Sequence, residues 1–332
     1  MYHAIEQRGR RQLLACLGQG ALATAASALA GASWAQDPWP SRPLSLVVPF
    51  PPGGTTDLAG RLVATQLALR LGVPVIVENR PGGNNIVGTQ QVVRAAPDGY
   101  TLLMMTGATM TPAFFKHMPF DMLSDLAPIS MAYQGAYVLF AQSSQPYKTL
   151  DELIAYAKVH PGKLSVGSSS STATIGLEIF KRAADIDIVI VSYKGSAAAM
   201  SDLLGGHVAV VLDGPTTYMP HVKAGSIQAI ATAAQTRTPT LPETPTTAER
   251  GWPQLRVTFV GGLWAPAATP ASVVERLSRE MAGVMQVPEV RAKLLEVGVD
   301  PSSSSPQAMR QKIQAEMEHY ARGAQLANFE PL

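Results

Sequence analysis

Two short stretches carry residue types able to hold an anion without a fixed positive charge. The first is Phe50-Pro51-Pro52-Gly53-Gly54-Thr55-Thr56-Asp57, where an apolar β-branched run stops at proline, passes a glycine pair and opens a helical pattern. Glycines at a strand-to-helix turn let backbone N–H groups converge on one point, and the helix start adds partial positive charge there. The second is Ser168-Ser169-Ser170-Ser171-Thr172, which follows the apolar run 164–167 and precedes a helical pattern through Ile175, Ile179 and Arg182. Its hydroxyls add O–H donors to the same geometry. Each stretch has a plainer reading, a tight connection for the first and a helix cap with a linker for the second. One such loop in each of two lobes would pinch a carboxylate between them.

Asp213 is the third element. It closes the apolar run 208–212 and is followed by Gly214-Pro215. At the C-terminal end of a strand it would face the crevice where open α/β sheets take their ligands, accepting from a ligand N–H or O–H. Capping a helix that starts near Pro215 is the equal alternative. Phe50, Tyr133, Tyr137 and Tyr193 are candidate walls; Phe50 and Tyr193 lie beside loops, and the other two read as core.

Other chemistries find little footing. A nucleophile elbow needs G-x-S-x-G, and after Gly167 and Ser169 position 171 is Ser. A hydrolase using Ser168 to Ser171 with Lys194 stays as a rival reading. There is no H-E-x-x-H, no EF-hand loop and no cysteine cluster to bind a metal. No G-x-G-x-x-G follows a strand, so a dinucleotide has no fingerprint, and no cofactor is expected.

The elements that must position these residues alternate short strands with longer helices, an α/β pattern with largely parallel sheets. Strands are expected at 44–48, 73–77, 101–106, 137–141, 164–167, 188–192, 208–212, 227–232 and 258–265. Leu58, Leu62 and Leu69 predict the apolar face of the helix after Asp57. Thr149-Leu150-Asp151-Glu152 predicts a capping box. Thr269-Pro270 and Ser305-Pro306 each set a cap residue before a proline at the first helical position. Crossings near 140–142 and 260–263 would put 40–141 with 263–332 in lobe 1 and 142–262 in lobe 2. Two α/β lobes joined by a two-stranded hinge make a clamshell.

The first 35 residues read as a signal peptide. Arg8, Arg10 and Arg11 precede an alanine-rich apolar run, and Ser33-Trp34-Ala35 offers small residues for cleavage after Ala35. Arg10-Arg11 would equally suit a twin-arginine signal, so the export route stays open. The single cysteine, Cys16, lies inside this segment, which leaves the exported chain without disulfides or thiolate chemistry. The full chain carries 26 Lys and Arg against 24 Asp and Glu, and the exported part carries 23 of each. That balance gives nucleic acid no electrostatic footprint. A monomer is expected.

An ordered set of segments then becomes recognisable: Pro40-Ser41-Arg42-Pro43, Val48-Pro49-Phe50-Pro51-Pro52-Gly53-Gly54, Val77-Glu78-Asn79-Arg80-Pro81-Gly82, Ala96-Pro97-Asp98-Gly99-Tyr100-Thr101-Leu102, Tyr193-Lys194-Gly195-Ser196 and Pro220-His221-Val222-Lys223-Ala224-Gly225. Over about 40–325 the chain resembles the substrate-binding proteins of tripartite tricarboxylate transporters, the Bug family. The resemblance implies a type II periplasmic-binding-protein clamshell that takes a small organic carboxylate to membrane permease subunits; presenting it to a membrane sensor is the alternative. It puts Phe50, Gly53, Gly54, Thr55, Thr56 and Asp57 at the first loop, and Ser168, Ser169, Ser170, Ser171 and Thr172 at the second. Asp213 would meet the distal part of the ligand, and Thr106 would border the same cleft. Serines replace the family's second-loop glycines, Thr174 stands at its histidine position, and Gly214-Pro215 follows Asp213 where Asn is usual, so the resemblance leaves the ligand open.

Overall fold

The computed structural model describes residues 39–331, so the signal peptide expected over 1–35 lies outside the described residues. The chain divides after Ser41, and the description below is of the unit from Arg42 onward. In chain order its elements are β1 (Leu44–Val48), α1 (Thr55–Leu71), β2 (Val75–Asn79), α2 (Ile86–Val93), β3 (Thr101–Thr106), α3 (Met122–Asp125), β4 (Leu126–Ala136), β5 (Val138–Gln142), α4 (Leu150–Val159), β6 (Leu164–Ser168) and α5 (Ser171–Ala184). They continue with β7 (Ile188–Ser192), α6 (Ser196–Gly205), β8 (Val210–Asp213), α7 (Met219–Lys223), β9 (Ile227–Thr232), β10 (Thr258–Pro266), α8 (Ala271–Val284), α9 (Pro288–Glu296), β11 (Asp300–Pro301) and α10 (Pro306–Ala327).

The strands form two sheets. The first runs β11-β4-β10-β3-β1-β2 and the second β7-β6-β8-β5-β9. β1 pairs in parallel with β2 and β3, and β6 does the same with β7 and β8. β10 and β5 enter antiparallel, so each sheet is mixed rather than largely parallel. The central strands are near-continuous apolar runs because helices cover both faces. Each bears its loop at the C-terminal end, which puts Gly53–Gly54 and Ser168–Ser170 at matching places in the two sheets.

Between β4 of the first sheet and β5 of the second stands the single residue Tyr137. The return crosses beside it, with the Tyr137 N–H donating to the Val257 carbonyl at 2.8 Å. Sheet membership therefore changes a few residues ahead of the crossings expected from the sequence. The reason is β4, a strand the sequence pattern did not reveal: Pro128, Gln134 and Gly135 interrupt its apolar run.

Two local expectations are corrected. α1 buries Ala59, Gly60, Val63, Ala64, Leu67 and Leu71, whereas Leu69 is 74% exposed. The small residues let the helix lie close on β1, where a Cβ at Gly60 would stand 3.2 Å from Val48. Thr269 does not cap α8: Pro270 occupies that position, and the buried Thr269 hydroxyl has no partner. The Thr149–Glu152 capping box and the Ser305 cap are present as expected.

α10 belongs to two cores. Met309, Ile313 and Met317 pack with Leu103, Met105 and Trp264 of the first sheet. Further along, Tyr320 and Ala324 join Leu164, Val166, Ile175 and Leu212 of the second.

Candidate functional site

The first loop is pinned from within. Gly53 adopts φ +89°, open to glycine, and turns its N–H onto Asp57 Oδ2 at 2.9 Å. Asn79 Nδ2 donates to Asp57 Oδ1 at 2.8 Å, and Arg61 Nε donates to Oδ2 at 3.1 Å. Burial pushes the Asp57 carboxyl up, but the bonds from Arg61, Gly53 and Asn79 outweigh it and hold its pKa below the usual range. Both oxygens are thus spent on the loop itself. The Phe50 carbonyl accepts from Asn79, and the Phe50 ring packs on the first core.

Gly54 then caps α1 with extended backbone and no side-chain hydrogen bond, leaving the first-turn N–H groups without a capping partner. A Cβ built on Gly54 would meet nothing within 4 Å. The Thr55 hydroxyl lies 2.5 Å from that of Thr216, in the loop after β8 of the other sheet. Below it the Thr56 hydroxyl stands 2.7 Å from Tyr133 Oη, which is 3.1 Å from the Thr106 hydroxyl; the two threonines close the figure at 3.3 Å. Tyr133 reaches this spot because Gly261 opposite has no side chain, a Cβ there falling 2.0 Å from the ring.

The second loop is a web of hydroxyls. Ser168 Oγ donates to the Ser170 carbonyl at 3.0 Å and lies 2.6 Å from Thr174 Oγ1. Thr174, at the position where a histidine was expected from the family pattern, therefore braces the loop. Ser170 caps α5 by accepting from the Ala173 N–H, and its hydroxyl is 3.0 Å from Tyr137 Oη and 2.9 Å from Thr172 Oγ1. Ser171, the first residue of α5, is half-buried.

Asp213 is 2% exposed and fully engaged. It accepts from Ser169 Oγ at 2.6 Å, the Gly214 N–H at 2.7 Å and Tyr218 Oη at 2.9 Å. Burial pushes its carboxyl up, while the bonds from Ser169, Ser196, Tyr218 and Gly214 oppose that rise. It ties the second loop to the β8 turn rather than capping a helix near Pro215, since α7 begins only at Met219. Tyr193 turns toward α6, donating to Asp202 Oδ2 at 2.8 Å, and burial with that carboxylate lifts its phenol to about 12.

The fold thus gathers Gly54, Thr55, Thr56 and Thr106 around the first helix start, and Ser168 to Thr172 with Asp213 around the second. Asp57 and Tyr193 are drawn aside into internal bonds. Sequence reasoning passed over Asn79, Thr216 and Tyr218; the reading of Tyr133 and Tyr137 as core holds, Tyr133 being fully buried and Tyr137 packed against the second core, but their hydroxyl contacts were not foreseen. Open grooves of about 440 and 410 Å³ lie elsewhere, beside Lys158 and Asp187 and beside Glu275 and Arg310. Among the described residues no group of three or more His, Cys, Asp or Glu is placed to hold a metal ion. No described helix is long and apolar enough to cross a membrane.

Comparison with known proteins gives a consistent picture. The family described as the tripartite tricarboxylate transporter family receptor matches residues 59–327. The protein BugT of Bordetella pertussis is 33% identical over 294 residues, covering 86% of this chain and 89% of BugT. The structure of Rpa4515 of R. palustris with adipate superposes with a TM-score of 0.82 at 32% identity, over 89% of this chain and 100% of that one. MatC (Rpa3494) of Rhodopseudomonas palustris, with bound malate, gives 0.77 at 28% identity over 86% and 99%.

Proposed function

Because the chain belongs to the tripartite tricarboxylate transporter receptor family, we propose that it is a periplasmic receptor that captures a small organic carboxylate and delivers it to a membrane permease. The carboxylate sits between the loops after β1 and β6, with one sheet and its helices on each side. The observation that carries this reading is the pair of helix starts ringed by neutral hydroxyls, the first without a side-chain cap and the second capped by Ser170, joined across the two sheets by the Thr55–Thr216 contact. Rpa4515 with adipate and MatC with malate make aliphatic dicarboxylates the first ligands to try.

Magnitudes agree with such a site. Micromolar binding needs about −8 kcal/mol. Hydrogen bonds to a charged group contribute about 1.5–3 kcal/mol each, and a helix N-terminus about 0.3–2 kcal/mol. Three or four donors at the upper end of that range, together with both helix starts, reach it after the cost of lobe closure. The hydrolase rival gains nothing: Ser168, Ser169 and Ser170 bond to hydroxyl, carbonyl and carboxylate groups, and none of these bonds is to a histidine or lysine.

A thermal-shift panel tests the reading, with adipate, malate, glutamate and benzoate each set against its amide. Ligand at 100 times Kd stabilises by about 2.7 kcal/mol, which at about 2–4 °C per kcal/mol for a chain this long is a shift of roughly 5–10 °C. A shift with an acid and none with its amide is the expected result, with the acid recovered unchanged. Equal shifts with acids and amides, or turnover of the acid, would overturn the proposal.

A further inference from the structure

Behind each loop stands a closed triangle of three hydroxyls, and the two triangles match. The first joins Thr56, Tyr133 and Thr106 with edges of 2.7, 3.1 and 3.3 Å. The second joins Thr172, Ser170 and Tyr137 with edges of 2.9, 3.0 and 3.4 Å. In both, one corner is the second residue of the helix, Thr56 of α1 and Thr172 of α5. In both, another corner is a tyrosine: Tyr133 within β4, and Tyr137 between β4 and β5. The Phe259 ring stands edge-on between the two tyrosines, with centroids 6.2 Å from Tyr133 and 5.6 Å from Tyr137.

Three hydroxyls have three hydrogens and three edges, so a closed triangle has none to spare. When one O–H turns outward to an anion, two hydrogens remain for the ring, and the longest edge is the one that opens. In the first triangle that edge is Thr56–Thr106, which leaves a chain from Thr106 through Tyr133 to Thr56. In the second it is Tyr137–Thr172, which leaves a chain from Tyr137 through Ser170 to Thr172. Each chain ends on the second residue of a helix, beside the N–H groups that would face the same anion. Hydrogen bonds in series polarise one another, so the terminal hydroxyl becomes a better donor than it would be alone.

We propose that Tyr133 and Tyr137 are positioning residues for carboxylate capture: each feeds a hydroxyl chain whose last member, Thr56 or Thr172, gives its O–H to the ligand carboxylate. This rests on the functional reading above and adds a donor set made of neutral groups alone. Such donors keep their hydrogens across the neutral pH range, and burial pushes both phenols up, that of Tyr137 to about 12. An amide ligand presents a weaker acceptor and gains less from a polarised donor.

The test is the dissociation constant for the same four acids and amides in the wild type, Tyr133→Phe and Tyr137→Phe. Each variant keeps its ring and loses one hydroxyl. The expected result is a rise in Kd for the preferred acid of about two- to ten-fold per variant, the range of one net hydrogen bond. The acid-to-amide preference falls by the same factor. A purely structural role would weaken acid and amide alike and leave that ratio unmoved, which would overturn the inference. Should a phenylalanine variant unfold, Thr106→Val keeps both rings and breaks the first chain at its origin; an unchanged ratio there also overturns it. A wild type with no preference for any acid removes the functional reading and this inference together.

Discussion

Individual residues divide into those that face outward and those that hold the others. Gly54 is of the first kind. It has ordinary extended backbone and open space where a side chain would be, so Gly54→Val costs the fold little. On the proposed reading, the branched side chain would stand where the carboxylate meets α1. We expect a loss of acid binding of at least about 100-fold, two lost donors' worth, with the melting temperature of the free protein unchanged. Retained affinity in calorimetry would remove the first loop from the site. Asp213 is of the second kind. At the end of a strand it has the position of a ligand contact, yet its oxygens accept from Ser169, Gly214 and Tyr218. Asp213→Asn should therefore lower stability by about 1–3 kcal/mol and weaken all acids alike. A reordering of preference among acids, seen in the same panel, would instead place Asp213 against the ligand.

Among the elements, α10 carries a buried carboxyl group at its middle. Glu316 is 2% exposed; one oxygen accepts from the Thr258 hydroxyl and the other has no partner. Burial pushes its carboxyl up, against the pull of Lys312, Thr258 and Arg256. An acid whose pKa is higher folded than unfolded keeps its proton longer in the fold. Stability is therefore lost as pH rises from the ordinary glutamate value of 4.5 through the raised one. Glu316→Gln should raise the melting temperature at pH 8 and do so less at pH 4; a gain independent of pH would refute the mechanism. Elements also show what a sequence reveals. The strands 44–48, 101–106, 188–192 and 227–232 stand where β-branched runs put them, and the capping box and Ser305 cap follow from local chemistry alone. β4 was hidden because its partner is β10, over a hundred residues away, and pairing overrides the Pro128 and Gly135 interruptions. The face of α1 was misread because proximity to β1 is set by small residues, not by leucines. Both loops were legible as loops, since glycine and serine mark them. Which hydroxyl meets which was not, because Tyr133 and Thr216 arrive from distant parts of the chain.

Taken whole, the molecule joins its two sheets at the loop after β8 as well as through the crossings and α10. Thr55 meets Thr216, and Gly298, in the turn after α9, leaves room for Pro215: a Cβ there would fall 2.7 Å from it. Both contacts fall on the loop rooted at Asp213, which also holds Ser169. Thr216→Val removes the hydroxyl contact while keeping its size. We expect a larger radius of gyration in X-ray scattering of the free protein and a Kd two- to ten-fold higher, the range of one net hydrogen bond. Unchanged scattering and affinity would make the contact incidental.

α10 sinks its first part into one core and its later part into the other. Its 22 residues span about 33 Å of unbroken helix. Neither lobe then owns its last layer of packing. Heat or denaturant that loosens one core would strip the shared helix from its neighbour, so a single cooperative melting transition is expected. A gene cut at the crossings would yield two halves with open seams, not two small proteins.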